Sequence, residues 1–523
     1  MLVHDMDGDE HTADSGLLIA SNRLPIQLRR DDDGQWRREA SSGGLVTALE
    51  PVLRRRGGVW VGWPGVMEGQ IEEEELRALL QAEAVAGYDV EPVPLTRSER
   101  RDFYRGFSNE ILWPLCHGLQ SRCNFEPRYW RTYRRVNSKF ARAIQRVAGP
   151  ETFLWIHDYH LMAVAEELRG RGCENPAGFF LHIPFPPPDI FEQLPWATEV
   201  LKSLLQFDLV GFQTARDREN FLDCVEGLEG ATHVVEEDRV ETERGTTRVG
   251  AFPISIDNDL FRDGAMTSEV RAAADNLRAD IGTERIILGV DRLDYTKGIP
   301  QKLHGLERAL EKYPDLRGRV SLVQLVVPSR ERIPEYHRMK KEIERLVGRI
   351  NGEFTTGGWA PILYQFGTWE QTELLSFYRA ADVALVTSIR DGMNLVSKEF
   401  CAASVDGRGV LVLSAFAGSA DELAEHALTV NPNDVEAVAD AIYEACMMEE
   451  AEQRSRLMAL QRTVHDRDVH WWVSEFLGAA ARTVREASAP AVPPAADDDD
   501  PDPSGAARPV ASHRSSAVRR AER

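Results

Sequence analysis

The chain places cations and carboxylates where strands are expected to end. In Arg285–Gly298, RIILGVDRLDYTKG, the apolar run Ile286–Val290 predicts a buried parallel strand, followed at once by Asp291, Arg292, Asp294 and Lys297. Ligands of open α/β sheets bind beyond the carboxyl ends of strands. A guanidinium and an ammonium at this spacing suit a diphosphate, the Arg as a planar fork and the Lys as a point charge. Taken alone, the same residues also fit a loop closed by an Arg–Asp ion pair. Other strand ends repeat the pattern: Arg23 and Arg330 add cations, Asp158, Asp391 and Glu399 add carboxylates, and His182 adds a titratable ring. Cations suit phosphates and carboxylates suit sugar hydroxyls, so a nucleotide-sugar enzyme needs both. Arg292 and Lys297 would stabilise a departing nucleoside diphosphate in place of a metal.

The elements that must position these groups follow from hydrophobic patterning. Leu17–Ala20 reads as a strand ending in SNRLP, and Arg29–Arg38 as a hairpin or surface loop. Ser41-Ser42-Gly43-Gly44 precedes the helical spacing Leu45, Ala48, Leu49, Val52, Leu53. Amides at such a helix start can approach a phosphate or sugar, although a plain turn is the commoner use of Gly-Gly. Val59–Trp63 is a strand. Ser98–His117 is dense in aromatics that read mainly as core, with Tyr104 and Trp113 the candidates to line a pocket. Strands at Phe153–Ile156, Ala177–Leu181 and Leu209–Phe212 alternate with helices and predict a Rossmann-like half. Val249–Ile256 leads to a junction at Asp257. A second α/β half follows, with strands Val320–Val327, Ile362–Phe366, Val383–Val386 and Val410–Ser414 and helices Glu335–Val347 and Asp434–Met447. A last amphipathic helix is expected at Val469–Glu486.

Composition narrows the classes. The chain has 523 residues, with 62 basic against 84 acidic residues and a formal charge of −22, which argues against nucleic-acid binding. No apolar run of about 18 residues predicts a membrane span. The acidic start lacks the form of a signal peptide, and the six cysteines form no CxxC pair, so a cytoplasmic protein is expected. No metal site is expected: Asp31–Asp33 and Asp497–Asp500 read as solvated runs, and His157 and His160 as structural residues.

SNRLP, SGGL, VGWPG, FSNEILWP, WIHDYHL, FFLHIPFP, GVDRLDYTKG, PSRER, GRINGEF and RDGMNLVSKEF occur in one order. Together they resemble the trehalose-6-phosphate synthases, retaining glycosyltransferases of the GT-B fold, over about residues 17–475. The resemblance implies two Rossmann-like domains facing across a cleft: an acceptor domain at 16–256 and a nucleotide-sugar domain at 257–465, with a helix at 466–487 crossing back; outside it, the composition of 1–15 and 488–523 predicts disordered tails. It implies transfer of glucose from UDP-glucose to glucose 6-phosphate, without cofactor or metal. It assigns the donor diphosphate to Arg292 and Lys297, with Gly43 and Gly44 against it. It assigns the donor sugar to His182 and Asp391, with the backbone of Gly392, Met393, Asn394 and Leu395, and the ribose to Glu399. Arg23, Tyr104 and Arg330 would hold the acceptor phosphate, Asp158 its sugar, and Trp63 and Trp113 would wall the pocket. Retention through front-face attack leaves the proton to a donor phosphate oxygen, so Asp158 orients the acceptor and forms no covalent bond. The resemblance also implies domain closure with a hinge near Ile254–Asp257, a homo-oligomer (dimer or tetramer) and a separate trehalose-phosphate phosphatase. Tyr364–Trp369 departs from the family pattern where the base is seated, which leaves ADP- and GDP-glucose open as donors. The alternatives are a transferase using glycerol 3-phosphate, giving glucosylglycerol phosphate, and a catalytically silent sugar-phosphate sensor.

Overall fold

The structure, a computed structural model, describes residues 16–31, 33–40, 44–81, 87–234, 238–329 and 334–488. The expected tails, apart from Ser488, together with Gly43 and Arg330, lie outside these residues.

Two sheets organise the chain. The first has nine strands, in the spatial order Asp89–Pro92, Val59–Trp63, Leu17–Arg23, Phe153–His157, Ala177–Phe180, Leu209–Phe212, Gly245–Ala251, Arg239–Thr242 and Ala231–Val234. All pairings are parallel up to Gly245–Ala251, where an antiparallel meander closes the edge. The second has six parallel strands in the order Ile362–Phe366, Val320–Val327, Arg285–Arg292, Val383–Val386, Val410–Ser414 and Leu428–Val430. Each sheet therefore starts from a central strand, builds outward to one side, and then crosses to the other side. The crossing point falls between Leu17–Arg23 and Phe153–His157 in one half, and between Arg285–Arg292 and Val383–Val386 in the other. Such reversals open a crevice at the strand ends. Arg23 and Asp158 follow the first crevice; Arg292, Lys297 and Asp391 follow the second.

The segment read as leading to the Asp257 junction begins inside the strand Gly245–Ala251, and Pro253, which lacks a ladder donor, follows the end of that pairing. Two local differences from the sequence reading have physical causes. The helix expected to stop at Val347 runs from Pro334 to Phe354. Ile350 and Phe354 bury their side chains beyond Gly348, and Asn351 bonds both the N–H and the C=O of Ile362, so packing outweighs the glycines. The aromatic stretch forms a π-helix, Arg100–Leu112, entered through a capping box between Thr96 and Glu99. Extended π-helical turns are rare and concentrate at functional sites.

The final helix, Val469–Ser488, packs against the first sheet: Trp472, Phe476 and Val473 are buried with Ile19, Trp60, Trp155 and Phe180. The chain thus returns from the second half to the first, as the GT-B reading requires. The preceding helix ends at Asp466, and the last helix starts at Val469, as its amphipathic pattern predicts. Among the described residues no helix is long and apolar enough to cross a membrane.

Candidate active site

The loop after Arg285–Arg292 answers the question its charges raise. Asp291 turns inward to the fully buried Lys302, at 2.6 Å, and to Gln324 at 2.9 Å. Asp294 caps the next turn at Thr296 and accepts from the Tyr336 hydroxyl at 3.2 Å. Neither carboxylate neutralises Arg292, which stays exposed with its guanidinium 5.8 Å from the Trp113 ring. Gly298 turns the loop back with φ +64°, and a Cβ there would lie 2.0 Å from the Thr387 carbonyl, so only glycine fits.

Lys297 meets Asp391 at 2.5 Å, each side chain 14% exposed. Burial alone would push the Asp391 carboxyl up. The Lys297 charge and hydrogen bond, with help from Asn394, outweigh it and hold the carboxyl below its ordinary value. Asn394 adopts φ +78°, caps the helix Leu395–Ala403 through Ser397 N–H, and donates to Asp391 at 3.0 Å. Helix N-termini present free amides to anions, and this one faces the loop of Lys297. Glu399, one turn further along, accepts from Tyr378 at 2.6 Å, and burial raises its carboxyl. Gly392 lies against the His182 carbonyl of the first half; Met393 is buried and Leu395 partly buried in the apolar cluster under the last helix.

Across the cleft, Arg23 places its guanidinium 5.6 Å from both the Trp63 and Tyr104 rings. Arg100 lies over Trp63 at 5.1 Å, so two cations share one indole. Tyr104 stacks on His160 at 5.8 Å, and His160 Nδ1 lies 3.7 Å from the Asp158 carboxylate. Asp158 itself has φ +75°, a conformation that costs a non-glycine residue energy and concentrates at functional sites. Asn109 donates to the Tyr104 carbonyl and accepts from the Tyr159 hydroxyl, holding the π-helix against the Asp158 loop. Aromatic contacts then run from Tyr159 to Trp113 (5.8 Å) and from Trp113 to Arg292. The two strand-end groups therefore face one crevice. Gly44 is the first residue of the helix Gly44–Arg56.

Sequence reasoning missed Arg100, Asn109, His117 and Tyr378. Arg100 precedes Tyr104 by one turn, which is the signal that could have found it. His160, expected to be structural, sits between Tyr104 and Asp158. His157, also expected to be structural, is buried and contacts His182 at 3.1 Å.

The histidines carry a pH prediction. Burial lowers His117 from 6.5 to about 4 and His182 to about 3, and lowers His157 well below 6.5 with help from His182. The unfolded chain takes these protons near pH 6.5, whereas the folded protein stays neutral until much lower pH. Stability present above pH 6.5 is therefore lost as pH falls, at about 1.4 kcal/mol per pH unit for each histidine. Urea midpoints measured from about pH 7.5 down to about pH 5 should fall accordingly, and His117→Gln should remove one histidine's share of the slope.

The family model for Glycosyltransferase family 20 matches residues 15–482. The trehalose-6-phosphate synthase of Mycobacterium marinum is 42% identical over 485 residues, covering 90% of this chain and 94% of that protein. The bifunctional trehalose-6-phosphate synthase/phosphatase of Thermoproteus tenax is 43% identical over 483 residues, covering 90% of this chain and 64% of that protein. A UDP-forming α,α-trehalose-phosphate synthase from Burkholderia xenovorans, solved in complex with glucose-6-phosphate, superposes with a TM-score of 0.81 at 33% identity, covering 89% of this chain and all of that one. The Escherichia coli structure described as trehalose-6-phosphate bound with UDP-2-fluoro glucose superposes at 0.80 with 34% identity, over 89% of this chain and 99% of that one. Two crevices sharing one cleft, and a family match running from the first strand into the returning helix, give one conclusion: the chain belongs to glycosyltransferase family 20.

Proposed function

We propose that the protein is a retaining glucosyltransferase that moves glucose from UDP-glucose to glucose 6-phosphate, giving α,α-trehalose 6-phosphate and UDP. One observation carries this reading: Trp113 links the Arg292–Lys297–Asp391 group to the Arg23–Arg100–Tyr104–Asp158 group, its ring lying 5.8 Å from the Arg292 guanidinium and 5.8 Å from the ring of Tyr159, the neighbour of Asp158. The ligands named for the two solved relatives, glucose-6-phosphate and UDP-2-fluoro glucose, support an acceptor phosphate on one side and a nucleotide sugar on the other.

In this reading Arg292, Lys297, Gly43 and Gly44 hold the donor diphosphate. Asp391, His182 and the Gly392–Leu395 backbone hold the donor glucose, and Glu399 the ribose. Arg23, Tyr104 and Arg330, joined by Arg100, hold the acceptor phosphate. Asp158 aims the anomeric hydroxyl, and Trp63 and Trp113 wall the pocket. As the bond from the anomeric carbon to the phosphate oxygen breaks, its electrons leave with UDP. The acceptor oxygen bonds to the same face of that carbon, and its proton passes to a donor phosphate oxygen. The cations stabilise the charge that accumulates on the diphosphate. Because Lys297 and Asp391 are paired here, a donor phosphate would compete for Lys297 and release Asp391 toward sugar hydroxyls.

The same proposal includes acceptor and donor domains divided near residue 256, UDP as the nucleotide, a cytoplasmic location, a homo-oligomer, and a separate phosphatase that completes trehalose synthesis. Purified protein should form trehalose 6-phosphate from UDP-glucose and glucose 6-phosphate without added metal. Parallel reactions with ADP- or GDP-glucose, and with glycerol 3-phosphate, identify the donor and acceptor. Exclusive formation of glucosylglycerol phosphate, or binding without any product, would reject the proposal.

A further inference from the structure

The two segments that join the halves lie side by side. Val469 N–H donates to the Ile256 carbonyl at 2.9 Å, and Trp472 Nε1 to the Phe252 carbonyl at 3.1 Å. Asn258 contacts His465 at 3.3 Å, and His470 lies 4.0 Å from Asp257. Any closure of the cleft must bend residues 252–258 and 465–472 together.

A buried ion pair reaches into this joint from the candidate donor site. Lys398 lies on the helix Leu395–Ala403, between the Asn394 cap and Glu399. Its Nζ donates to the Ile254 carbonyl at 3.0 Å and to Glu422 at 2.6 Å, with the two side chains only 2% and 4% exposed. The second Glu422 oxygen faces Arg467, 3.8 Å away on the returning segment. Ile254 is itself held by Gln213, which accepts from its N–H at 3.0 Å at the end of a first-half strand. One ammonium thus ties the helix bearing Glu399 to the first crossing, and through Glu422 to the second.

Replacing a buried ion pair by apolar side chains is commonly neutral or stabilising, so stability does not account for a pair in this place. We propose that Lys398 and Glu422 are positioning residues that couple donor occupancy to the joint: ordering of the helix by the nucleotide sets the joint, and the joint brings the acceptor residues into register. This rests on the functional reading above. Coupling between sites requires an element whose arrangement both ligands bias, and the Leu395–Ala403 helix with its tethered joint is that element.

The test uses the full chain, with UDP and glucose 6-phosphate as probes. In the wild type, UDP should raise glucose 6-phosphate affinity about fivefold or more, as measured by titration calorimetry. Lys398→Met alone leaves Glu422 buried without its ammonium and should lower the thermal midpoint. Lys398→Met with Glu422→Leu should recover the midpoint and bind UDP within about twofold of wild type, while the coupling factor falls to about one and kcat falls about tenfold. Recovered stability together with wild-type coupling would overturn the proposal. So would a double variant that stays unstable or loses UDP binding outright, because the pair would then be structural. A wild type that forms no trehalose 6-phosphate would fail the functional reading, and the coupling proposal with it. An active wild type beside a normally coupled variant would fail the coupling proposal alone.

Discussion

Replacing both Arg292 and Lys297 by alanine should lower kcat/KM for the nucleotide sugar by about 10³-fold or more, with the fold intact by circular dichroism and thermal melting. Loss of a single oriented donor to developing charge typically costs about 10²–10³-fold, and two groups acting on one leaving group do not add independently. The structure also predicts that the single variants differ. Arg292 is exposed, and its close contact is the Trp113 face, so Arg292→Ala removes a cation and disturbs nothing beneath it. Lys297 carries a second duty, because its charge holds the buried Asp391 ionised against desolvation. In Lys297→Ala the Asp391 carboxyl should rise, so the residual activity should show an acid limb displaced to higher pH than in Arg292→Ala. Arg292→Lys should rescue poorly, since a point charge cannot replace the planar fork at a diphosphate. Steady-state kinetics of the four variants across pH, with UDP binding measured separately, decide each point.

Much of this arrangement is written in the sequence as short apolar runs. Leu209–Phe212, Val320–Val327, Val383–Val386 and Val410–Ser414 coincide with strands of the structure because parallel strands covered on both faces read as nearly continuous apolar runs. Once such runs are placed, the polar residues after them fall at strand ends, and Arg292, Lys297, Asp158 and Asp391 follow. The antiparallel strands Arg239–Thr242 and Ala231–Val234 lack this signal, since the first carries Arg239 and Glu241 and neither forms an apolar run. The π-helix was hidden for another reason: Phe103, Phe107 and Ile111 fall at i, i+4 and i+8, a spacing an α-helix shares, so nothing in the pattern marks the wider turn. Pairings between distant residues were the least legible. Asp391 is 94 residues from Lys297, and Glu422 is 24 from Lys398. Nothing local distinguishes a carboxylate that will meet a cation from one that will meet water.

Gly392→Ala should reduce kcat/KM by about 10²-fold or more while leaving the thermal midpoint close to wild type. A Cβ at this position would lie 2.2 Å from the His182 carbonyl oxygen and 3.1 Å from the Ile183 Cα, both backbone atoms of the opposite half. The Gly392 backbone itself is not in a left-handed conformation, so alanine is tolerated wherever the halves stand apart. The clash therefore acts on closure and spares each half. Misplacement of reacting groups by about 1 Å is enough for a loss of this size, since the acceptor hydroxyl and the donor carbon belong to opposite halves. Gly418→Ala is the internal comparison: its Cβ would lie 1.9 Å from the Gly392 carbonyl, within one half, so that variant should lose stability as well as activity. Solution scattering separates the two cases. With saturating UDP and glucose 6-phosphate the wild type should contract, Gly392→Ala should keep its melting temperature and fail to contract, and Gly418→Ala should melt early. If Gly392→Ala contracts and turns over normally, the close approach of its backbone to His182 is not required for catalysis, and the closed arrangement of the cleft loses its place in the mechanism.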